Sequence, residues 1–289
     1  MRTFFLSFVS MLAFAGNSVL CRLALADREI DPSSFTAIRL VSGALMLLFL
    51  LSISPQKDLD SRPKGNTHRS IFAAASLFSY ALFFSYAYLS LDTATGALVL
   101  FGVVQITMVA IGIVRGRTLQ ALEWLGLVLA CSGFVYLLLP ELSHGATLNG
   151  LIMMAIAGFS WAVYTILGQG SVQPLVDTKT NFIFSIPMVF LFVLVCVVFD
   201  VMPNVTPTGV LLALASGAIT SGVGYAIWYA VLPKLATTVA AVIQLTVPVI
   251  AAILGLLLVK EVPSIHLLVS GAIILIGILL VIMAGRKPS

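Results

Sequence analysis

The chain reads as an all-α polytopic membrane protein: ten transmembrane helices in two inverted five-helix repeats, with both termini cytoplasmic. Three observations lead there. Of 289 residues, 60% are apolar and 9% charged, and the mean hydropathy is +1.13. A soluble domain carries about a quarter charged residues, so there is too little polar surface here to cover a water-facing globule. A cytosolic enzyme and a secreted domain are excluded. The apolar residues also gather into ten runs near the ~20 residues that a membrane helix needs. Finally, the basic residues between the runs fall mostly on one side.

The runs span approximately 3–25, 32–54, 70–90, 93–114, 119–139, 147–168, 179–199, 207–231, 235–259 and 264–284. Pro32, Pro207 and Pro263 stand where a first helical turn tolerates the missing N–H. Pro55, Pro63, Pro140, Pro174 and Pro203 fall in connections. The longest polar stretch, Ser54 to Arg69, is too short for a soluble domain, so the chain is one membrane unit. Ala13-Phe14-Ala15 resembles a signal-peptide cleavage site. The apolar run continues past it to Leu25, and the first helix is expected to be retained.

With the N-terminus inside, cytoplasmic segments hold Arg2, Lys57, Arg62, Lys64, Arg69, Arg115, Arg117, Lys179, Lys234, Arg286 and Lys287. The opposite side holds Arg22, Arg28 and Lys260. Eleven against three is a positive-inside signal. The net charge of +4 therefore reports orientation, and no basic stretch interleaved with aromatics suggests nucleic acid.

The sequence repeats itself weakly at an offset of 144 residues: Leu91 with Leu235, Thr93 with Thr237, Ala97 with Ala241, Val103 with Val247 and Gly133 with Gly277. Phe14 aligns with Phe159 one residue off that register. The repeats are taken as 1–144 and 145–289. Five helices reverse direction across the membrane, so the halves are inverted, an arrangement that commonly places a substrate site at the bilayer midplane.

Cys21, Cys131 and Cys196 are isolated within apolar runs, which suits small core residues rather than a disulfide framework. His68, His144 and His266 are equally scattered, so neither a metal site nor a cofactor is expected. No Ser/His/Asp set, HExxH, phosphate-binding loop or carboxylate pair suggests catalysis. Asn204-Val205-Thr206 fits a glycosylation acceptor, but Pro207 follows and the motif is short.

Arg39 is the sharpest feature, about 10 Å into its helix at ~1.5 Å per residue. A guanidinium in hydrocarbon costs ~2.5 kcal/mol or more, so it must face protein or water. It is read as a gate residue or an anchor for a substrate carboxylate, or else as a structural arginine bonded to carbonyls of neighbouring helices. The acids tell a complementary story. Asp27, Glu29, Asp31, Asp92, Glu141, Asp177, Asp200 and Glu261 fall in loops or at helix ends, and Glu123 in a first turn. A proton-coupled exporter of lipophilic cations typically needs a membrane carboxylate. Neutral or zwitterionic substrates and facilitated movement fit better.

Uncharged polar and aromatic residues supply the candidate site. They are Asn17, Tyr80, Phe84, Phe101, Gln105, Trp161, Tyr164, Tyr225, Trp228 and Gln244. Buried amides and phenols need partners and so point inward; Tyr80/Phe84 and Tyr225/Tyr229 each share a helix face. A cavity of aromatic faces and a few amides suits an amino acid or small aromatic metabolite; for any single residue the competing explanation is interhelical packing or an interfacial aromatic. Ser216, Thr220 and Gly224, Gly217 and Ser221, and Gly112 and Gly116 read as packing seams. Pro187 and Pro248 favour kinks, and Pro248 is a candidate hinge beside the cavity or a static bend.

The pattern resembles the EamA-type ten-helix members of the drug/metabolite transporter superfamily along nearly the whole chain. The resemblance rests on Gly16-Asn17-Ser18, on Pro32 with Arg39, and on Trp124, Gly126 and Gly133. In the second half it rests on Phe159-Ser160-Trp161-Ala162-Val163-Tyr164, Pro248, Glu261, Gly271 and Gly277. It implies two inverted five-helix repeats, with a cavity formed by helices 1, 3, 4, 6, 8 and 9 and helices 5 and 10 outside it. A tryptophan common in the family's first helix is absent, and Val104 stands near an expected proline. The resemblance implies export of neutral or aromatic amino acids or similar metabolites from a bacterial inner membrane, by alternating access, with no cofactor. Nucleosides, sugars or drugs moved with ion coupling, and a membrane-embedded enzyme or lipid scramblase, are the alternatives. Partners are a small-molecule substrate and the bilayer, with no nucleic acid; the sequence leaves the oligomeric state open and is compatible with a monomer.

Overall fold

The computed structural model describes residues 2–53, 67–139, 145–169, 171, 173–199, 203–232, 235 and 243–285. Among these residues nine helices are long and apolar enough to cross a membrane, and a tenth apolar helix is shorter. They are α1 (Arg2–Ala26), α2 (Pro32–Ser52), α3 (Thr67–Ala87), α4 (Thr93–Val114) and α5 (Ala121–Leu138), then α6 (Gly145–Gly168), α7 (Pro174–Val198), α8 (Pro207–Val231), the shorter α9 (Thr246–Val259) and α10 (Ile265–Ala284). The described residues form no strand. One isolated bridge joins Ile30 to Val205, tying the α1–α2 turn to the α7–α8 turn.

Local chemistry sets the helix starts. The Asp31 carboxylate accepts from the backbone N–H groups of Ser33 and Ser34, and Pro32 occupies the first helical position of α2. Thr206 does the same for Gly209 ahead of Pro207. Each cap satisfies donors that a helix end would otherwise leave bare. At α5, Glu123 reaches back to the Gln120 N–H at 2.8 Å and also takes the guanidinium of Arg117.

Three boundaries differ from expectation. Pro174 is no connection residue: it opens α7, five residues before 179, because a proline is favoured at a first helical position. Pro263 lies outside α10, where Ser264 is the cap and accepts from Leu267 at 3.1 Å. The ninth span was expected from 235, and residues 236–242 lie outside the described set. Its helix from Thr246 covers only ~21 Å at 1.5 Å per residue, short of the ~30 Å hydrocarbon thickness. Lys57, Arg62, Lys64, Lys234, Arg286 and Lys287 of the charge pattern, Thr237 and Ala241 of the repeat, and His144, Glu141, Asp200, Pro55, Pro63 and Pro140 also lie outside the described residues.

α8 and α9 carry a feature that hydropathy does not show. Residues Ala215–Val223 of α8 and Gly255–Val259 of α9 are π-helix. The wider turn is rare, and where it occurs it is frequent at functional sites.

Helix α1 packs against α8, α9 and α4, placing it at the centre. α3 packs along α6, and α2 lies on the π-helical stretch of α8 and on α7. α5 and α10 pair at the periphery. That seam is built on glycine: a Cβ on Gly277 would lie 2.5 Å from the Ala130 nitrogen and 2.7 Å from the Gly126 carbonyl oxygen. With lipid around the bundle, close backbone approach replaces hydrophobic driving force as the source of helix association.

Candidate substrate site

Five helices meet at a cluster of aromatic rings in the middle of the bundle. Phe14 and Asn17 come from α1, Tyr80 and Phe84 from α3, Leu100 and Phe101 from α4, Trp161 from α6 and Tyr225 from α8; these eight line one cavity. The Trp161 ring is its hub, with ring centres at 4.8 Å to Tyr80, 5.1 Å to Tyr225, 5.4 Å to Tyr164 and 6.2 Å to Phe14. The Phe14 ring is edge-on to Tyr225 and to Trp228. Tilted and edge-to-face arrangements are those that aromatic quadrupoles prefer. The cavity itself holds about 10 Å³ of water-sized space, room for about one water. In this conformation the rings close on one another.

Polar groups form a chain along one edge. The Asn17 side-chain oxygen accepts from Ser216 Oγ at 2.7 Å and Thr220 Oγ1 at 3.2 Å, and its amide donates to the Tyr80 hydroxyl at 3.5 Å. Arg39 donates to the same Tyr80 hydroxyl through Nη2 at 3.0 Å and to Ser221 Oγ through Nε at 3.1 Å. Its guanidinium carbon lies 5.1 Å from the Tyr80 ring centre and 5.0 Å from that of Phe84, within cation–π range. Arg39 is 1% exposed. Among the described residues it forms no ion pair with a carboxylate, and its Nη1 has no hydrogen-bond acceptor.

The π-helical stretch accounts for this edge. Ser216, Thr220 and Ser221 all lie within it and turn toward α1 and α2. These three read in sequence as a packing seam. The seam is real, since a Cβ on Gly217 would run into Ser42 Oγ and the Arg39 carbonyl oxygen. The same residues also complete the hydrogen bonds of Asn17 and Arg39. The structural reading of Arg39 is corrected accordingly: its acceptors are side-chain hydroxyls, with no carbonyl among them.

The structure gathers most of the sequence candidates and disperses three. Asn17, Tyr80, Phe84, Phe101, Trp161 and Tyr225 border the cavity, while Tyr164 and Trp228 stand behind it against Trp161 and Phe14. Gln105 instead borders a separate small cavity among α4, α5 and α10, with Ala130 and Ile278. Gln244 is buried ahead of α9, and no hydrogen bond ties it to the cluster among the described residues. Pro248 lines an apolar groove of about 250 Å³ between α4, α9 and α10, with Leu98, Leu267 and Gly271. Phe14 and Leu100 were not singled out as site residues. In sequence Phe14 stands out only within Ala13-Phe14-Ala15 and in its alignment with Phe159, which is 54% exposed and so shares no role with it.

The family model of the EamA-like transporter family matches twice, over residues 1–139 and 148–283. The chain belongs to this family. Among curated relatives, it is 45% identical over 280 residues to an uncharacterized protein of Pseudomonas aeruginosa, covering 95% of this chain and 94% of that one. It is 26% identical over 289 residues to an uncharacterized transporter of Archaeoglobus fulgidus, covering 96% of each. An uncharacterized transporter of Bacillus subtilis is 25% identical over 284 residues, 97% of this chain and 94% of that one. A solved crystal structure of a protein at 19% identity superposes with a TM-score of 0.66 over 99% of both chains, which shows the shared fold. As an EamA-family member the chain is a membrane transporter of small molecules.

Proposed function

We propose that this transporter exports neutral or aromatic amino acids or similar small metabolites from a bacterial inner membrane. In this reading it works by alternating access between two five-helix halves, 1–144 and 145–289, with both termini cytoplasmic. The single observation that carries it is the ring cluster around Trp161, edged by the Asn17–Tyr80–Arg39 chain. Rings offer faces to an apolar or aromatic side chain, while the amide, phenol and guanidinium offer partners to an amino-acid backbone. Asn17, Tyr80, Phe84, Phe101, Trp161 and Tyr225 would touch the substrate, with Tyr164 and Trp228 supporting them. Gln105, Gln244 and Pro248 would act only once the helices have moved. No enzyme chemistry is proposed.

The cavity is too small for an amino acid, so a substrate would enter only when the rings part. That is what alternating access requires of a closed state. Among the described residues no carboxylate lines the cavity or pairs with Arg39, which supports facilitated movement over proton antiport.

Counterflow tests the reading. Proteoliposomes are preloaded with unlabelled amino acids, with equal pH on both sides, and offered labelled threonine, methionine or phenylalanine in turn. Uptake of any one above empty liposomes is expected. Silence for all three from folded protein moves the substrate to nucleosides or drugs, or makes ion coupling obligatory. Trp161→Ala is expected to cut uptake about tenfold, the effect of losing ~1.4 kcal/mol of binding, while the protein still elutes as a single species in detergent. Wild-type kinetics in that variant would remove Trp161 from the site.

A further inference from the structure

On the face opposite the N-terminus, two connections, α3–α4 and α9–α10, converge on one guanidinium. Arg22, near the end of α1, donates through Nε to Glu261 at 2.6 Å, through Nη1 to the Tyr88 carbonyl at 3.0 Å and through Nη2 to Asp92 at 3.3 Å. The second oxygen of Glu261 accepts from the Thr93 N–H at 2.8 Å, at the first turn of α4. Arg22 and Glu261 side chains are only 16% and 17% exposed, so water and salt screen this pair less than an open surface pair. Glu261 is held in place by its own backbone. It follows the π-helical end of α9, and Lys260 before it adopts a left-handed φ of 63°, a conformation uncommon outside glycine.

The ties run between the two halves and toward the ring cluster. Arg22, Tyr88 and Asp92 belong to the first five helices and Glu261 to the last five. Tyr88, whose carbonyl Arg22 holds, is fully buried, and its ring stands 4.8 Å from that of Phe84, a cavity residue. Cys21, the residue before Arg22, is also fully buried and lies one helical turn beyond Asn17 on the same helix. From the cavity outward, the order is Asn17, Cys21, Arg22.

We infer that Arg22, with Asp92 and Glu261, is the gate on that face: the clamp seals the route from the cavity, and its release joins the cavity to the solution there. The inference rests on the alternating-access reading, but not on any particular substrate. These are positioning residues, since they act on the route and touch no substrate. Phe84 and Tyr88 couple the two levels: a ligand that displaces the Phe84 ring also disturbs the segment whose carbonyl Arg22 holds.

Cys21 makes the test internal to the protein. In a Cys131→Ser, Cys196→Ser background, a membrane-impermeant methanethiosulfonate is applied from the clamp side and labelling of Cys21 is timed. A matching reporter, Ser10→Cys, sits on the same helix two turns nearer the N-terminus than Asn17 and is labelled from the other side. Glu261→Gln is expected to raise the Cys21 rate about tenfold, as a shift of ~1.4 kcal/mol between closed and open forms requires. Labelling at position 10 should not rise. Unchanged labelling of Cys21 would overturn the gate. So would a rise at both positions, since general loosening exposes both faces whereas a gate exposes one. Arg22→Lys, which keeps the charge but cannot span three acceptors, is read the same way if Glu261→Gln does not fold. Absence of amino-acid counterflow with a normal labelling response would retire the substrate and leave the gate.

Discussion

Arg39→Met is expected to leave the protein folded, with a melting temperature in detergent equal to or above wild type, while abolishing counterflow of amino acids. The reason lies in what the guanidinium lacks. It is buried, its Nη1 is without an acceptor, and among the described residues no carboxylate balances its charge. Keeping such a group in a membrane helix costs about 2.5 kcal/mol or more. Replacing a buried ionic group by an apolar one of similar volume is often neutral or stabilising. Stability is therefore not what the residue supplies. An unbalanced cation beside the ring cluster is suited to a substrate that brings its own carboxylate, and charge-assisted bonds of that kind contribute about 1.5–3 kcal/mol, or roughly a hundredfold in uptake at the upper end. Arg39→Lys should retain part of the activity, because the charge remains while the planar fork is lost. A sharp fall in melting temperature for Arg39→Met, with wild-type uptake per folded molecule, would make the residue a structural one.

Gly217→Ala is expected to cost about 3 kcal/mol, at the top of the range for overpacking. The added methyl would run into Ser42 Oγ and the Arg39 carbonyl oxygen, and would lie 2.8 Å from the Arg39 Cα. Ser42 can turn away; backbone atoms of α2 cannot. Relief requires α2 and α8 to separate, and that movement pulls Ser221 from Arg39 and Ser216 from Asn17. The predicted signature is a joint loss of melting temperature and uptake, unlike Arg39→Met, which separates the two. A variant with wild-type stability would mean that the helices yield without cost at this contact.

These two residues also mark how far the sequence could be read. The crossings were readable because hydrocarbon imposes a length and backbone groups in lipid impose helix. Prolines with their caps then fixed starts such as Pro32 and Pro207. The ring cluster was readable in outline, since buried phenols and amides must find partners, and Tyr80 with Phe84 obeyed the spacing of four. Gln105 shows why residue type alone was insufficient. Helix α4 is buried along much of its length and contacts α6 on one side and α10 on another, so no apolar face told inward from outward. The partners of Asn17 and Arg39 were hidden for a different reason. Ser216 with Thr220, and Gly217 with Ser221, do share faces as their spacing suggests, but small residues at that spacing read as a packing seam and carry no sign of which side chains across the interface they bond. The gate was hidden too, because it joins Arg22 to Glu261 across 239 positions.

The wide turns of α8 have a bearing on how the chain tolerates change in length. A stretch such as Ala215–Val223 carries a surplus residue relative to an α-helix of the same rise. Removing one residue within it lets the ladder revert to α while Pro207–Leu214 and Gly224–Val231 keep their mutual phase, so Tyr225 still faces Trp161. The same deletion in an ordinary turn of α3 would rotate everything beyond it by ~100° and swing Tyr80 or Phe84 out toward lipid. Insertions and deletions in this fold are thus not confined to its loops: the middle of α8 is a place where one residue can be lost from within the membrane, at the expense of the hydroxyl edge and not of the helix.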